Sequence, residues 1–348
     1  MTASSPITRH VVRLAVLALG LALSTAIFGA GAPPGTYTVT NLVADPTGPA
    51  AVNTDVNLVN GWGIALRPTS PVWVSDNGSN MSTVYDGLGK IIIPPSPVSI
   101  PGPPTGIVAN LSSADFGGAL FLWALEDGHV AAWSGGAATT VFTATDGAVY
   151  KGLTIAGDGT QFHLYIADFH NGKIDVLTSA FATTTVPGGF ADPTIPAGFH
   201  PFNILNLNGN LFVAYALKET NGNDEVHAPG LGFVNVFNPD GVLLARVATR
   251  GKLNAPWGMA LAPAGFGRFS NHLLVGNFGD GTINAYDVKN YTFAGQLRSS
   301  TGGILTIDGL WGIVFGNGVR NQSTNTLFFA AGPNEESNGV FGKIEPAD

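Results

Sequence analysis

The sequence contains no cysteine and few charged residues. Of its 348 residues, only 11% are Asp, Glu, Lys or Arg. Without cysteine there are no disulfides, no thiol catalysis and no cysteine-bound metals, so the fold must be held by its buried core. Ordinary domains carry about a quarter charged residues, so this chain is poor in charge.

Other features are also missing. The formal net charge is −8 and no Lys/Arg cluster follows the N-terminal segment, which argues against nucleic acid as a partner because such binding rests on neutralised phosphates. The sequence has no Gly-x-Ser-x-Gly elbow, no His-Glu-x-x-His, no phosphate-binding Gly loop and no dinucleotide fingerprint. Helical periodicity is nearly absent too, which favours an all-β fold.

Glycine and short apolar runs are abundant, and one motif recurs. Asn-Ala-Pro-Trp-Gly-Met-Ala-Leu-Ala at residues 254–262 is the clearest of six related segments. Successive copies lie roughly 43 to 56 residues apart, a period typical of propeller blades. The aligned positions are Gly63, Gly106, Gly152, Phe202, Gly258 and Gly312.

Each copy precedes a second apolar run, a Gly/Asp/Asn turn and a third alternating run, which predicts one antiparallel blade per copy. The last unit is one strand short, whereas residues 37–43 precede the first inner strand and belong to no earlier blade. We therefore predict a six-bladed β-propeller at residues 33–348, closed by pairing of this N-terminal strand with the last blade. A β-sandwich would not require a motif repeated six times.

The recurring residues suggest close packing around the axis. The repeated glycines are expected where a side chain would collide with the backbone of a neighbouring blade. Trp62, Trp257 and Trp311 accompany them. These indoles fit a buried packing role between blades, the favoured interpretation, or a stacking platform for a sugar or aromatic ligand.

Residues 1–32 are predicted to be a signal peptide. Arg9, His10 and Arg13 precede an apolar run at residues 14–30, and Ala-Gly-Ala at residues 30–32 is a small-residue cleavage signature. This predicts export (secreted, periplasmic or cell-surface), with no stable membrane insertion after cleavage. The alternative is a retained anchor, since the run is nearly long enough to span a bilayer.

Polar residues are predicted to gather on one rim of the ring. Loops into the inner strand and turns between the second and third strands open on the same face of a propeller. The candidate ligand-binding rim is Asn60, Asp76, Asn77, Glu126, Lys151, Asp168, Asn254, Asn277 and Glu335. The candidate catalytic residues are His200, His170 and Asp308.

Oxygen ligands at this rim are compatible with Ca²⁺, which takes about six to eight of them. Asp308, Asn254 and Asn60 are the metal candidates. A metal there would polarise a carbonyl or activate water, with His200 or His170 as proton carrier. The competing interpretation is structural, because Asp-Asn-Gly, Glu-Asp-Gly and Gly-Asp-Gly are sequences that tight turns require anyway.

Five longer motifs resemble an uncharacterised family of exported bacterial propeller proteins, some with sorting tails of the PEP-CTERM type. They lie at residues 57–65, 73–78, 253–262, 274–281 and 329–336. The resemblance spans about residues 37–344 and implies the propeller fold and export, but no activity. The chain ends at Asp348 without a hydrophobic tail, so that sorting route is not expected. NHL-type and gluconolactonase-like six-bladed propellers are similar in fold alone.

Two functions remain open from the sequence. The first is an exported binding or scaffold module whose rim takes a glycan, peptide or protein. The second is a metal-assisted hydrolase, lactonase or lyase at the same channel mouth. A redox propeller is a poor third, because the chain lacks a haem-attachment cysteine pair. Residues 218–230, a polar insertion, predict a lid if folded over the mouth and a docking loop if splayed outward.

Overall fold

Six separate β-sheets make up the fold. The computed structural model describes residue 1 and residues 35–157 and 159–347. Within these residues, five sheets have four strands and one has five. The arrangement is a six-bladed β-propeller, as the sequence predicts. The predicted signal peptide lies outside the described residues, apart from residue 1.

The blades follow one another along the chain. The first two strands, β1 (Tyr37–Ala44) and β2 (Asn53–Thr54), precede blade 1. Blade 1 is β3 (Gly61–Ala65), β4 (Val72–Asp76), β5 (Met81–Tyr85) and β6 (Val98–Ser99). Blade 2 is β7 (Pro104–Ala109), β8 (Phe121–Leu125), β9 (His129–Trp133) and β10 (Thr139–Thr143). Blade 3 is β11 (Tyr150–Gly157), β12 (Phe162–Asp168), β13 (Lys173–Thr178) and β14 (Thr183–Thr184).

The second half repeats this plan. Blade 4 is β15 (Phe199–Leu207), β16 (Asn210–Leu217), β17 (Phe233–Phe237) and β18 (Leu243–Thr249). Blade 5 is β19 (Pro256–Leu261), β20 (His272–Asn277), β21 (Ile283–Asp287) and β22 (Phe293–Gln296). Blade 6 begins with β23 (Leu310–Phe315), β24 (Leu327–Ala331) and β25 (Val340–Pro346). Short 3₁₀ helices lie at Asn77–Ser79, Phe116–Gly118 and Gly267–Phe269.

The N-terminal strand completes blade 6. β1 pairs antiparallel with β25, with Val39 opposite Ile344, and β2 adds a short parallel edge. This confirms the predicted closure. Joining the two chain ends in one sheet ties the first blade to the last and leaves only short edges.

Each blade is buried on both faces. Because side chains alternate along a strand, Trp73 of β4 packs towards blade 2 whereas Val74 packs towards blade 6. Five hydrophobic clusters fill the interfaces between consecutive blades, and a sixth joins blade 6 to blade 1. Strands buried on both faces need apolar residues throughout, which explains the low charge of the chain.

The repeated glycines allow neighbouring inner strands to approach closely. All six inner strands shift register at the motif, between Gly61 and Ile64 in blade 1, for example. A Cβ on Gly106 would lie 2.9 Å from the Cα of Gly152, and one on Gly312 would lie 2.7 Å from the carbonyl oxygen of Trp62. The predicted collision with neighbouring blades is confirmed.

None of the helices in the described residues has the length and apolar character needed to cross a bilayer.

Candidate functional site

A cavity opens where the six inner strands begin, an end of the ring that we call the upper mouth. Its volume is about 330 Å³, at the small end of ligand sites, which span about 300–1,000 Å³. The residues that define this upper-mouth cavity are Trp62, Asn77, Glu126, Lys151, Asp224, Glu225, His227, Phe278, Trp311, Glu335 and Glu336.

The fold brings these residues together from distant parts of the chain. Lys151 lies at the start of the inner strand of blade 3. Asn77 and Glu126 follow the second strands of blades 1 and 2, and Glu336 follows that of blade 6. Loops of different blades thus contribute to one surface, because inner strands begin and second strands end at this end of the ring. The insertion at residues 218–230 adds the remaining acidic groups from blade 4.

Lys151 forms a buried ion pair. Its side chain is 2% exposed, and its Nζ donates to Glu126 Oε1 at 2.6 Å. The same Nζ lies 4.8 Å from the centroid of the Trp62 ring, a cation–π contact. Burial disfavours the charge, but nearby Glu126 and Glu225 outweigh it and raise the pKa of Lys151. Lys151 is therefore a fixed cation at neutral pH and not a nucleophilic amine.

Hydrogen bonds extend from this pair around the mouth. Asn77 Nδ2 donates to Glu126 Oε2 at 2.8 Å, and Asn60 Nδ2 donates to Glu336 Oε1 at 3.0 Å. Burial and the nearby Glu225 carboxylate raise the pKa of Glu336, against the opposing effect of the Asn60 bond. Glu336 therefore holds its proton more readily than an ordinary glutamate, as a general acid must.

The insertion, residues 218–230, folds over the mouth. Its Asn223 Oδ1 lies 2.7 Å from His170 Nδ1 of blade 3, and its Asp224 Oδ1 lies 3.8 Å from Lys151 Nζ. His227 packs edge-on against Phe278 of blade 5, with ring centroids 5.1 Å apart. Of the two arrangements that the sequence left open, this is the one expected of a lid.

Glu225 and His227 of the insertion form a second charged pair. His227 Nε2 lies 3.0 Å from Glu225 Oε1, and the Glu225 side chain is only 6% exposed. The hydrogen bond to Glu225 raises the pKa of His227, and the Glu336 carboxylate adds to this effect. The cavity thus combines a fixed cation, an imidazole that holds its proton more readily than usual and several carboxylates, which suits polar ligands or acid–base chemistry.

The three repeated tryptophans close the channel below this cavity. Trp311 is stacked between Trp62 and Phe278, with ring centroids 3.7 Å away on either side. Trp257 meets Trp311 edge-to-face at 5.8 Å. The three are buried in one cluster with residues of blades 3, 4 and 5. They pack across the axis rather than between two blades, and their covered faces leave no platform for a sugar.

The opposite mouth has a different character. A second cavity of about 330 Å³ is lined by aliphatic side chains of the inner strands together with Trp257 and Phe315. Its polar residues Asn203 and Asn206 are already engaged, since their Nδ2 atoms donate to the carbonyls of Trp257 at 2.8 Å and of Ile155 at 2.9 Å. The charged side chains suited to ligand binding or catalysis therefore lie at the upper mouth and not at this one.

The predicted rim residues divide into two groups. Asn77, Glu126, Lys151 and Glu335 line the upper-mouth cavity, and Asn60 supports it from behind. The others are buried structural groups: Asp76, Asp168 and Asn277 are 0% exposed, and Asn254 is 4% exposed. Asp168, for instance, accepts a hydrogen bond from Asn171 Nδ2 at 2.7 Å, as an aspartate in a tight turn commonly does.

The predicted catalytic residues do not line the upper-mouth cavity. His200 Nδ1 lies 2.6 Å from the carbonyl oxygen of Phe169, which fixes the ring as a structural donor. Asp308 is exposed and accepts from the backbone N–H of Asn334 at 3.0 Å, beside a separate depression. His170 contacts the insertion instead of the cavity.

The predicted metal residues have separate partners as well. Asn254 Nδ2 donates to Asp280 Oδ2 at 3.2 Å, whereas Asn60 bonds Glu336. Among the described residues, Asp146, Asp168 and Asp175 are the one group of three or more His, Asp or Glu side chains close enough together to hold a metal ion. Lys173 already lies between them, with Nζ 2.7 Å from Asp146 and 2.8 Å from Asp175.

Five residues that line the cavity were not among the candidates predicted from the sequence: Asp224, Glu225, His227, Phe278 and Glu336. His227 lies within the insertion, and Phe278 occupies the turn after β20. A signal for His227 did exist, because it is an imidazole in a polar segment that interrupts a regular blade. Phe278 had no comparable signal, since its role depends on stacking against Trp311.

Comparison with known proteins identifies relatives. The "Uncharacterized protein R648" of Acanthamoeba polyphaga mimivirus is 33% identical over 332 residues, covering 89% of this chain and 80% of the relative. This chain belongs to the family of that viral protein. No protein-family model matches the chain. The expected kinship with exported bacterial proteins is thus supported only as a propeller fold, because the relative found is viral.

Solved structures agree on the fold of this family member. A streptogramin B lyase superposes with a TM-score of 0.54 at 14% identity, covering 89% of this chain and 97% of the lyase. The PQQ-bound aldose sugar dehydrogenase of Streptomyces coelicolor gives a TM-score of 0.53 at 16% identity, with 90% and 100% coverage. Identities this low establish shared architecture and carry no activity across.

Proposed function

We propose that the protein is a ligand-binding propeller whose binding site is the upper-mouth cavity, closed by the insertion at residues 218–230. The observation that carries this proposal is the burial of two charged side chains, Lys151 and Glu225, in the wall of an enclosed cavity. Burying charge is costly unless it is paired or used. Apolar residues would have filled this space at lower cost if only stability mattered.

The geometry of the wall favours a small ligand over a large surface partner. Groups from separate blades converge on one concave volume, and the insertion covers it from above. Such a site recognises a compact polar molecule, such as one sugar residue or the end of a peptide, better than a flat protein face. A glycan or peptide therefore enters by a terminal group, and the outer rim contributes the remaining contacts.

A panel of four probes of different chemistry tests this proposal. Thermal unfolding of the full chain is measured with agmatine, glucose, gluconate and CaCl₂, because a ligand specific for the folded state raises the melting temperature. Asp224→Trp, which introduces a bulky ring at the cavity wall, is expected to abolish any shift. Glu219→Trp, on the same insertion but outside the cavity, is the matched control. The proposal fails if no probe gives a shift that Asp224→Trp removes.

A second candidate function is a hydrolase, lactonase or lyase, with Ca²⁺ as its candidate cofactor. It is favoured by one observation, that Glu336 and His227 both have raised pKa values and face the same cavity. A carboxyl group that holds its proton more readily than usual and an imidazole are the components of general acid–base catalysis. The test is hydrolysis of a simple lactone with and without CaCl₂. The catalytic function is supported if the protein turns the lactone over and Glu336→Gln lowers the rate at least about hundredfold.

Export remains a proposal that rests on residues 1–32. It is supported by the basic start, the apolar run and the Ala-Gly-Ala signature. Mass spectrometry of the protein recovered outside an expressing cell tests it. A mature N-terminus close to Pro33 is expected, whereas a retained N-terminus would indicate an anchor.

A further inference from the structure

The upper-mouth cavity carries a surplus of acidic groups. Two basic side chains face five acidic ones among its lining residues. Lys151 is hydrogen-bonded to Glu126 at 2.6 Å and attracts Glu225 and Glu336 only at longer range. Much of the acidic surplus therefore remains at Glu225 and Glu336.

Among the described residues, each of these two carboxylates has only one hydrogen-bond donor. One oxygen of Glu225 accepts from His227 Nε2, and one oxygen of Glu336 accepts from Asn60 Nδ2, each at 3.0 Å. The second oxygen of each has no hydrogen bond to the residues that the structure describes. Glu225 is also 94% buried as a side chain, being 6% exposed. Solvent reaches the free oxygen of each carboxylate, because neither atom is among the buried side-chain atoms that lack a partner. A ligand that displaces this water must supply a hydrogen-bond donor, preferably a charged one.

A bare metal ion fits this arrangement poorly. The close acidic group found among the described residues, Asp146, Asp168 and Asp175, lies outside the cavity. No three of the carboxylate and imidazole groups that line the cavity, all of them described residues, lie as close together as the ligands of a single ion. An organic cation with several N–H donors reaches across a wider gap, and the aromatic wall already accommodates one ammonium, that of Lys151 over Trp62.

We infer that the ligand of the upper-mouth cavity carries an organic nitrogen cation, a primary ammonium or a guanidinium, which donates to the free oxygens of Glu225 and Glu336. The inference rests on the proposed ligand-binding function and names its ligand class. The insertion then has a direct role: it supplies Glu225, so closing the lid completes the cation site.

Calorimetric titration of agmatine, which carries both cationic groups, tests this inference on the full chain. Glu225→Gln and Glu336→Gln are each expected to weaken binding about tenfold, the loss of one charge-assisted hydrogen bond. Glu219→Gln, on the insertion but outside the cavity, is expected to bind like the parent. Raising NaCl from about 20 to about 200 mM is expected to weaken binding to the unaltered chain, a readout that needs no variant.

Four other probes distinguish a wrong ligand class from the absence of a binding site. Tetramethylammonium, a cation without N–H donors, is expected to bind more weakly than agmatine, and equal binding would overturn the role of the donors. Suppose that CaCl₂, glucose or gluconate binds, that Asp224→Trp abolishes this binding, and that agmatine does not bind. The ligand is then not an organic nitrogen cation, but the proposed ligand-binding function stands. Agmatine binding that both Gln variants leave unchanged also overturns the inference. If no probe binds, both proposals fall.

Discussion

Replacing Lys151 by methionine tests whether the upper mouth contains a true buried ion pair. Methionine keeps most of the length and volume of the side chain but removes the Nζ that donates to Glu126 at 2.6 Å. Removing one partner of a buried pair typically costs about 3–5 kcal/mol of unfolding free energy, because the other charge is left unpaired. Glu126 is 28% exposed and keeps its bond from Asn77, so we expect the lower end, about 3 kcal/mol.

Urea unfolding at neutral pH measures this loss, provided that the slope against denaturant is unchanged. The matched control is Lys343→Met, which removes a more exposed pair with Glu345 at 2.7 Å. Exposed pairs contribute about 1 kcal/mol or less. Adding Glu126→Gln to Lys151→Met is expected to recover about 1 kcal/mol, since the unpaired carboxylate is then gone.

The effect of pH gives an independent check. The folded protein raises the pKa of Lys151 above its ordinary value of 10.5. A lysine with a raised pKa stabilises the fold below the unfolded pKa, and that contribution is lost as pH rises through the folded pKa. The cost of Lys151→Met should therefore be constant between about pH 7 and 9 and shrink above about pH 10.5. A cost below about 1 kcal/mol at pH 7 would refute the ion-pair reasoning.

Three further predictions concern single positions. Glu336→Gln is expected to stabilise the protein relative to the parent as pH rises above 4.5, because the raised pKa of Glu336 means that its ionisation opposes folding. Urea unfolding at pH 4.5 and pH 8 measures this, and a difference in unfolding free energy that does not grow between the two would contradict it. Gly312→Ala should cost about 2 kcal/mol through its backbone clash, whereas Gly303→Ala, whose Cβ would meet only a side-chain oxygen at 3.8 Å, should cost much less by the same assay. His200→Ala should cost about 1 kcal/mol through its lost bond to Phe169 while leaving agmatine binding unchanged, and loss of binding would place His200 in the site after all.

The outer strand of blade 1 shows the limit of interpreting a short segment from its own composition. The apolar run at residues 90–93 predicts an outer strand, yet the outer strand is Val98–Ser99, and the run contributes only a bridge between Ile91 and Tyr85. Apolar composition marks a segment that needs burial. Which segment pairs with the third strand depends on the path of the loop around the blade.

The sequence alone determined the architecture. Six related segments at a regular spacing, five of them marked by glycine and each followed by alternating strands, define six blades, because alternation and turn chemistry are local properties of the chain. The strand at residues 37–43 belongs to no earlier blade, and the last blade was one strand short, so the sequence predicted that the two would pair. Its pairing with β25 follows from counting strands.

Only the tertiary structure decided which polar residues meet. Glu126 and Asp168 look alike in sequence, as acidic residues at the end of a second strand, yet one faces the cavity and the other is buried against its own turn. Side-chain direction at a turn depends on a few backbone torsions and on neighbours that are remote along the chain. The same holds for Lys151, whose partners come from blade 2 and from the insertion, and reach it only once the ring has closed.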